Sequence, residues 1–289
     1  MFTSLYFVPA YAASDLNESK LDHGQRVLTS NPYGKVADVW EMGFFTGCVR
    51  IRWMNKFPGL ILASNSPRRK QLLSLTGLDF QVQPADLDET MLPAEHPWDH
   101  VLRLARGKAK EAVQIVAGSG FFLAADTIVV DADAILGKPA DQLEAASMLK
   151  GLRGHTHQVY TGMALCSASG SQETTDICIV DVPIRNFSDE DLSVYVASGD
   201  PLDKAGAYAI QHEGFQPVGD LQGCYAGVMG LSLCHLVRMF RRLEVKLNED
   251  IPSRCQAELA YDCPVWQDIL NDRELMEKSP PRAGSKGWE

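Results

Sequence analysis

The chain has 289 residues, 45% of them hydrophobic and 22% charged, with a formal net charge of −10. This composition suits one or two globular domains and excludes a chain disordered throughout. No apolar run reaches the roughly 18 residues needed to span a bilayer. So acidic a chain also binds long nucleic acid poorly, because that affinity comes from neutralised phosphates.

A small anion can still bind where cations cluster, as they do at Arg68, Arg69 and Lys70. The seven cysteines (Cys48, Cys166, Cys178, Cys224, Cys234, Cys255 and Cys263) form no CxxC pair and are odd in number. Neither a disulfide framework nor a zinc knuckle is expected. Free thiols in a reducing compartment are the simplest reading, which makes the protein cytoplasmic. Residues 1–13 include a short apolar stretch, but no basic residue precedes it and Pro9 interrupts it, so a secretory signal is not expected.

Residues 1–56 show no sustained periodicity and are expected to form an irregular extension, although residues 36–53 are rich in apolar and aromatic residues. From Phe57 to Lys246, apolar runs of strand length alternate with amphipathic stretches, which predicts an α/β domain over 57–246. Strands are predicted at 60–63, 80–82, 121–125, 128–130 and 135–136, with a turn at 131–133. A paired set is predicted at 158–166 and 176–184, around the polar turn 167–171. Helices are predicted from Ser66 to Gly77, over 98–116, over 142–152, from the cap Ser188 to Ala197, and over 231–243. Residues 247–289 turn polar and acidic and read as a tail, with a short helix around 265–276.

The stretch Leu60-Ile-Leu-Ala-Ser-Asn-Ser-Pro-Arg-Arg69 runs from strand to turn to helix. Ser66 suits the N-cap and Pro67 the first helical position. The free N–H groups of such a helix start accept a phosphate, and Arg68 and Arg69 add guanidinium forks. Two cations in a first turn oppose the helix dipole, a cost that a bound anion offsets. On the long helix, Trp98, Val101, Leu102, Ala105, Ala109, Ala112, Val113 and Val116 define the apolar face. Lys108 falls at its edge, where it can reach a pocket, and Lys110 falls opposite, in solvent. Asp126 ends the apolar run 121–125, at the place where α/β folds put ligands; a general base, a metal ligand and a turn aspartate all remain open. Lys138 follows nearby. Asp86, Asp88 and Glu89 form an acidic cluster, able to hold Mg²⁺ or Mn²⁺ or simply to be solvated. His155 and His157 would share one side of a strand, but no third zinc ligand is evident, and a structural or surface role is favoured. Nothing marks a nucleophile paired with its base.

Taken together, Leu62-Ala-Ser-Asn-Ser-Pro-Arg-Arg69, Asp88-Glu89, Ala124-Ala-Asp-Thr-Ile-Val129, Leu136-Gly-Lys-Pro139, His157-Gln-Val-Tyr-Thr-Gly162 and Asp203-Lys-Ala-Gly-Ala-Tyr-Ala-Ile-Gln211 resemble the Maf family of nucleotide pyrophosphatases, over residues 57–243. The resemblance implies a single Maf/inosine-triphosphatase-like domain, with an elongated mixed sheet flanked by helices. It implies cleavage of a nucleoside triphosphate between the α- and β-phosphates, aided by Mg²⁺ or Mn²⁺. It implies Asp126 as proton acceptor, Ser64, Arg69, Lys108 and Lys138 as the phosphate site, and Arg68, Thr127 and Gln211 as determinants of base preference. Glu89 and Asp126 would hold the metal. The residues at those three specificity positions look like the branch acting on dTTP and UTP rather than the one preferring 7-methyl-GTP. A homodimer is among the expected assemblies; long nucleic acid and membrane are not expected partners.

The chain departs from the family pattern at Arg153, at His212 and in Gly223-Cys-Tyr-Ala-Gly-Val-Met-Gly-Leu-Ser232, which lacks the usual Asn and Pro. These departures bear on the detailed base pocket and on the dimer surface, and they fall on none of the phosphate-site matches. The rival readings are an idle nucleotide-binding regulator of septum formation, and the same chemistry on a modified nucleotide. Residues 1–53 are expected to be dispensable, with Met54 a plausible start of the working protein.

Overall fold

The structure is a computed structural model that describes residues 27–30, 36–41, 49–54, 59–116, 120–132 and 134–273. The readings of residues 1–26 and of the tail after Arg273 lie outside the described residues. The chain divides into two units, Met1–Pro58 and Gly59–Glu289.

In the first unit, β1 (Val27–Ser30), β2 (Val36–Glu41) and β3 (Val49–Met54) form an antiparallel sheet in that order. The segment expected to be irregular therefore contains three paired strands. In β3, Val49, Ile51 and Trp53 alternate with Arg50 and Arg52. That is a period of two over only five residues, too short to stand out within 56.

The second unit is built on one mixed sheet. Its strands are β4 (Leu60–Leu62), β5 (Phe80–Val82), β6 (Phe121–Asp131), β7 (Ala134–Leu136), β8 (Thr156–Ser167) and β9 (Glu173–Pro183). They run in the order β5-β4-β6-β8-β9, with β7 also on β6. The β5–β4 and β4–β6 pairs are parallel; the others are antiparallel. The helices are α1 (Pro67–Ser74), α2 (Pro97–Ile115), α3 (Gln142–Leu152), α4 (Asp189–Ala197), α5 (Tyr225–Val228), α6 (Leu233–Arg242), α7 (Ile251–Leu259) and α8 (Trp266–Leu270). None among the described residues is long and apolar enough to cross a membrane. The expected capping box at Ser188 and Asp191 is formed, and α4 ends at the expected Ala197.

The sheet carries helices on both faces. Phe122 and Ala124 pack with Ala105, Ala109 and Ala112 of α2, whereas the neighbouring Phe121 meets Phe240 of α6 edge to face. Successive strand residues point to opposite faces, so one strand serves two layers. The alanine stripe lets α2 lie close to the sheet. Gly162 does the same from β8, since a Cβ there would come within 2.7 Å of the Val101 backbone.

Two expectations change at the level of elements. The runs 121–125 and 128–130 are one strand, because the pairing with β8 continues unbroken from Phe121↔Ser167 to Val130↔Gln158. Polar side chains at 126 and 127 do not interrupt backbone hydrogen bonds. The presumed tail also contributes to the core. Ile251 and Ile269 are fully buried. Arg238 of α6 donates to the Asp176 carboxylate at 2.8 and 2.7 Å, and to the Ile269 carbonyl at 3.0 Å. The domain boundary expected at 246 therefore moves beyond α8.

Candidate active site

Strand β4 accompanies β6 only as far as Leu123, and β7 joins it from Val129. Between them, one edge of β6 is left without a strand partner. A cavity of about 450 Å³ opens at this gap. Asp126 therefore lies in the middle of β6, not at its end as expected. It is still placed beyond the C-terminal end of the parallel strand β4, where an open α/β sheet binds ligands.

The turn after β4 and the start of α1 form one wall. Ser66 caps α1, its Oγ accepting from the Arg69 N–H at 3.4 Å, and Pro67 takes the first helical turn, as expected. The first turn holds no acidic residue. Arg69 is fixed on three sides: Nε donates to the Gly230 carbonyl at 3.0 Å, Nη1 to Ser64 Oγ at 3.3 Å, and Nη2 to Thr127 Oγ1 at 3.0 Å. Burial lowers the Arg69 pKa, and the neighbouring Asp126 carboxylate opposes that shift. A guanidinium starts so high that it keeps its charge.

The floor is an ionic array. Lys108 sits on the buried face of α2, 8% exposed, with its ammonium between two carboxylates. It lies 2.7 Å from Asp126 Oδ1 and 2.5 Å from Glu89 Oε1. Lys110 is two-thirds exposed and pairs with Glu173, as the helical register predicts. The acidic cluster is split. Only Glu89 reaches the cavity; Asp88 instead accepts from the Thr90 N–H at 2.9 Å, and Asp86 is exposed.

The loop after α4 also lines the cavity. Lys204 donates to the Asp200 carbonyl and to the Asp200 and Asp203 carboxylates at 2.5, 3.0 and 2.6 Å, using all three of its protons. Tyr195 donates to Asp200 and accepts from the Ala209 N–H. This staple holds in place the segment that brings Tyr208 and Gln211 to the cavity. Arg68, Lys138 and Gln211 line the cavity, the last two exposed to solvent.

The cavity thus gathers Ser64, Arg68, Arg69, Glu89, Lys108, Asp126, Thr127, Lys138 and Gln211, every residue to which the family resemblance gave a role. The two histidines do not act together. His155 precedes β8 and pairs with Asp131 at 2.9 Å, whereas His157 is buried and bonded to the Tyr208 hydroxyl at 2.8 Å. Among the described residues no group of three or more His, Cys, Asp or Glu side chains could hold a metal ion.

The late segment 223–232, where the chain departs from the family pattern, meets Arg69 and the buried Thr161 through its backbone. The Gly230 carbonyl accepts from Arg69, and Gly227 accepts from Thr161. Gly230 has φ +108, and a Cβ would crowd Thr127 and Arg69 at 3.1 and 3.2 Å. A carbonyl offers the same bond whatever side chain accompanies it, so the missing Asn and Pro do not remove the contact. Sequence reasoning passed over Thr161 and Lys204. Both lie within the quoted motifs 157–162 and 203–211, which were the only available signal.

Fold and site together define an α/β protein with a cation-rich, carboxylate-bearing cavity at a strand end. The family described as Maf-like protein matches residues 59–243, and the chain belongs to it. A dTTP/UTP pyrophosphatase of Geobacter sp. (strain M21) is 45% identical over 64% of this chain and 96% of its own length. The protein of the same description from Anaeromyxobacter dehalogenans (strain 2CP-C) is 44% identical over 68% of this chain and 99% of its own. Among solved structures, a HAM1 protein from Coxiella burnetii matches at 17% identity and a TM-score of 0.32, over 54% of this chain and 89% of that one.

Proposed function

We propose that the protein hydrolyses a nucleoside triphosphate between its α- and β-phosphates, releasing the monophosphate and pyrophosphate, with dTTP and UTP preferred. The observation that carries this reading is the Asp126–Lys108–Glu89 array lining the same cavity as Arg69. The relatives bearing that description support the choice of bases. Phosphoryl transfer asks mainly for positioned charge around the phosphate oxygens and an oriented water. The α1 N-terminus, Arg69, Lys108 and Lys138 supply the charge. Asp126 takes the proton of the attacking water as the α–β anhydride bond breaks.

The donor set also fits Mg²⁺ or Mn²⁺, hard cations that are commonly held by one or two carboxylates together with substrate phosphates. Asp126 and Glu89 would hold the ion. Its chemistry would be to neutralise charge on the phosphate oxygens. Arg68, Thr127 and Gln211 read the base. A cytoplasmic location belongs to the same proposal and is supported by the free cysteines, which suit a reducing compartment; a homodimer stays among the assemblies it allows.

The test is pyrophosphate release from dTTP, UTP, CTP, ATP, GTP and 7-methyl-GTP, with Mg²⁺ or Mn²⁺. dTTP and UTP are expected to be hydrolysed fastest. Faster turnover of 7-methyl-GTP than of UTP overturns the base preference. Absence of turnover on the whole panel overturns the activity.

A further inference from the structure

Beneath the cavity lies a hydrogen-bond chain whose direction can be worked out from its two ends. Arg69 Nη2 lies 3.0 Å from Thr127 Oγ1, Thr127 Oγ1 lies 2.9 Å from Thr161 Oγ1, and Thr161 Oγ1 lies 2.9 Å from the Gly227 carbonyl. A guanidinium can only donate and a carbonyl can only accept. Thr161 must therefore spend its single proton on Gly227. Its oxygen can then only accept from Thr127, which commits the Thr127 proton to Thr161 and leaves a Thr127 lone pair turned to Arg69. Every hydroxyl in the chain is thus oriented in one sense.

The chain also joins separate parts of the fold. Thr127 and Thr161 face each other across β6 and β8, and Thr161 is fully buried. Gly227 accepts a second bond, from the Gly230 N–H at 3.0 Å, closing the turn whose next carbonyl holds Arg69 Nε. Of the five guanidinium protons of Arg69, three have partners among the described residues. The remaining two, one on each terminal nitrogen, are left for a phosphate.

We propose that Thr161 is a positioning residue for Arg69. By fixing the Thr127 hydroxyl as an acceptor and tying the 227–230 turn to the sheet, it aims the free guanidinium edge into the cavity. It also means that Thr127 can only accept from a bound nucleotide. The proposal rests on the reading of Arg69 as a phosphate ligand.

The experiment compares Thr161→Val, which keeps the shape and removes the hydroxyl, with Thr161→Ser, which keeps the hydroxyl. UTP hydrolysis and inhibition by pyrophosphate are measured for each. Thr161→Val is expected to lower kcat/KM about tenfold, the scale of one ordered hydrogen bond, and to weaken pyrophosphate inhibition, while Thr161→Ser recovers most of both. In an Arg69→Ala background, Thr161→Val should add no further loss, because its effect runs through the missing side chain. Wild-type behaviour of Thr161→Val, equal damage from the serine variant, or an undiminished loss in the Arg69→Ala background each overturns the proposal. If the valine protein does not fold, Thr161→Cys, whose thiol is a weak donor and acceptor, is read against serine in the same way. If the wild type hydrolyses no nucleotide, the functional reading falls separately. Calorimetric titration with pyrophosphate then decides, and equal affinity of wild type and Thr161→Val overturns the role of Thr161.

Discussion

At Asp126, an amide in place of the carboxylate keeps the shape and removes the charge and most of the basicity. Turnover of UTP by Asp126→Asn is expected to fall by at least roughly 10²-fold, the scale of a general base. Nucleotide binding, followed by calorimetry, should largely survive, since the phosphate-facing cations stay in place. Near-normal turnover removes Asp126 from the role of base. His157 gives a pH prediction. Burial holds its imidazole neutral, with the pKa pulled down to about 4. The unfolded chain takes up this proton near pH 6.5 and the folded one only near 4. Stability from this residue is therefore fully present above about pH 6.5 and is lost as the pH falls towards 4. The loss amounts to about 3 kcal/mol at most. Urea unfolding at pH 7 and pH 4.5 measures it, and His157→Gln should show a visibly smaller drop. Equal drops would assign the acid sensitivity to other groups.

At the level of elements, α2 separates two lysines by burial. Lys108→Ala removes the ammonium between Asp126 and Glu89 and leaves two carboxylates facing each other, so UTP hydrolysis should fall by well over tenfold. Lys110→Ala removes only a surface pair with Glu173, of the kind worth about 0–1 kcal/mol, and activity should be unchanged. Equal damage from both would contradict the observed face of α2. The C-terminal helices make a second case. Ile269 of α8 is fully buried, and its carbonyl satisfies Arg238. Ile269→Ala should cost about 2–5 kcal/mol in urea unfolding, the range for a buried aliphatic deletion. A cost near zero would return α8 to the status of a tail.

At the scale of the whole molecule, the two units differ in what they supply. Every cavity residue lies in Gly59–Glu289. A chain beginning at Met54 keeps that unit intact and should match the full chain in melting temperature and UTP hydrolysis. A drop of several degrees, or insolubility, would show that residues 1–53 support the fold.

Much of this protein was legible in its sequence, because local signals carry their own chemistry. Ser66 and Pro67 announce a helix start, Ser188 and Asp191 a capping box, and the spacing along α2 separates Lys108 from Lys110. The motifs carried by the family resemblance brought in Ser64, Thr127 and Gln211, which also line the cavity. Tertiary structure decided what depends on partners distant in sequence. Pairing with β8 carried β6 through Asp126 and Thr127, and burial of Ile251 and Ile269 turned a polar tail into part of the core. The direction of the chain from Arg69 to Gly227 was also set there. A hydroxyl is donor or acceptor according to what faces it, and the groups that face Thr127 and Thr161 come from α1, two strands and α5, brought together only when the chain folds.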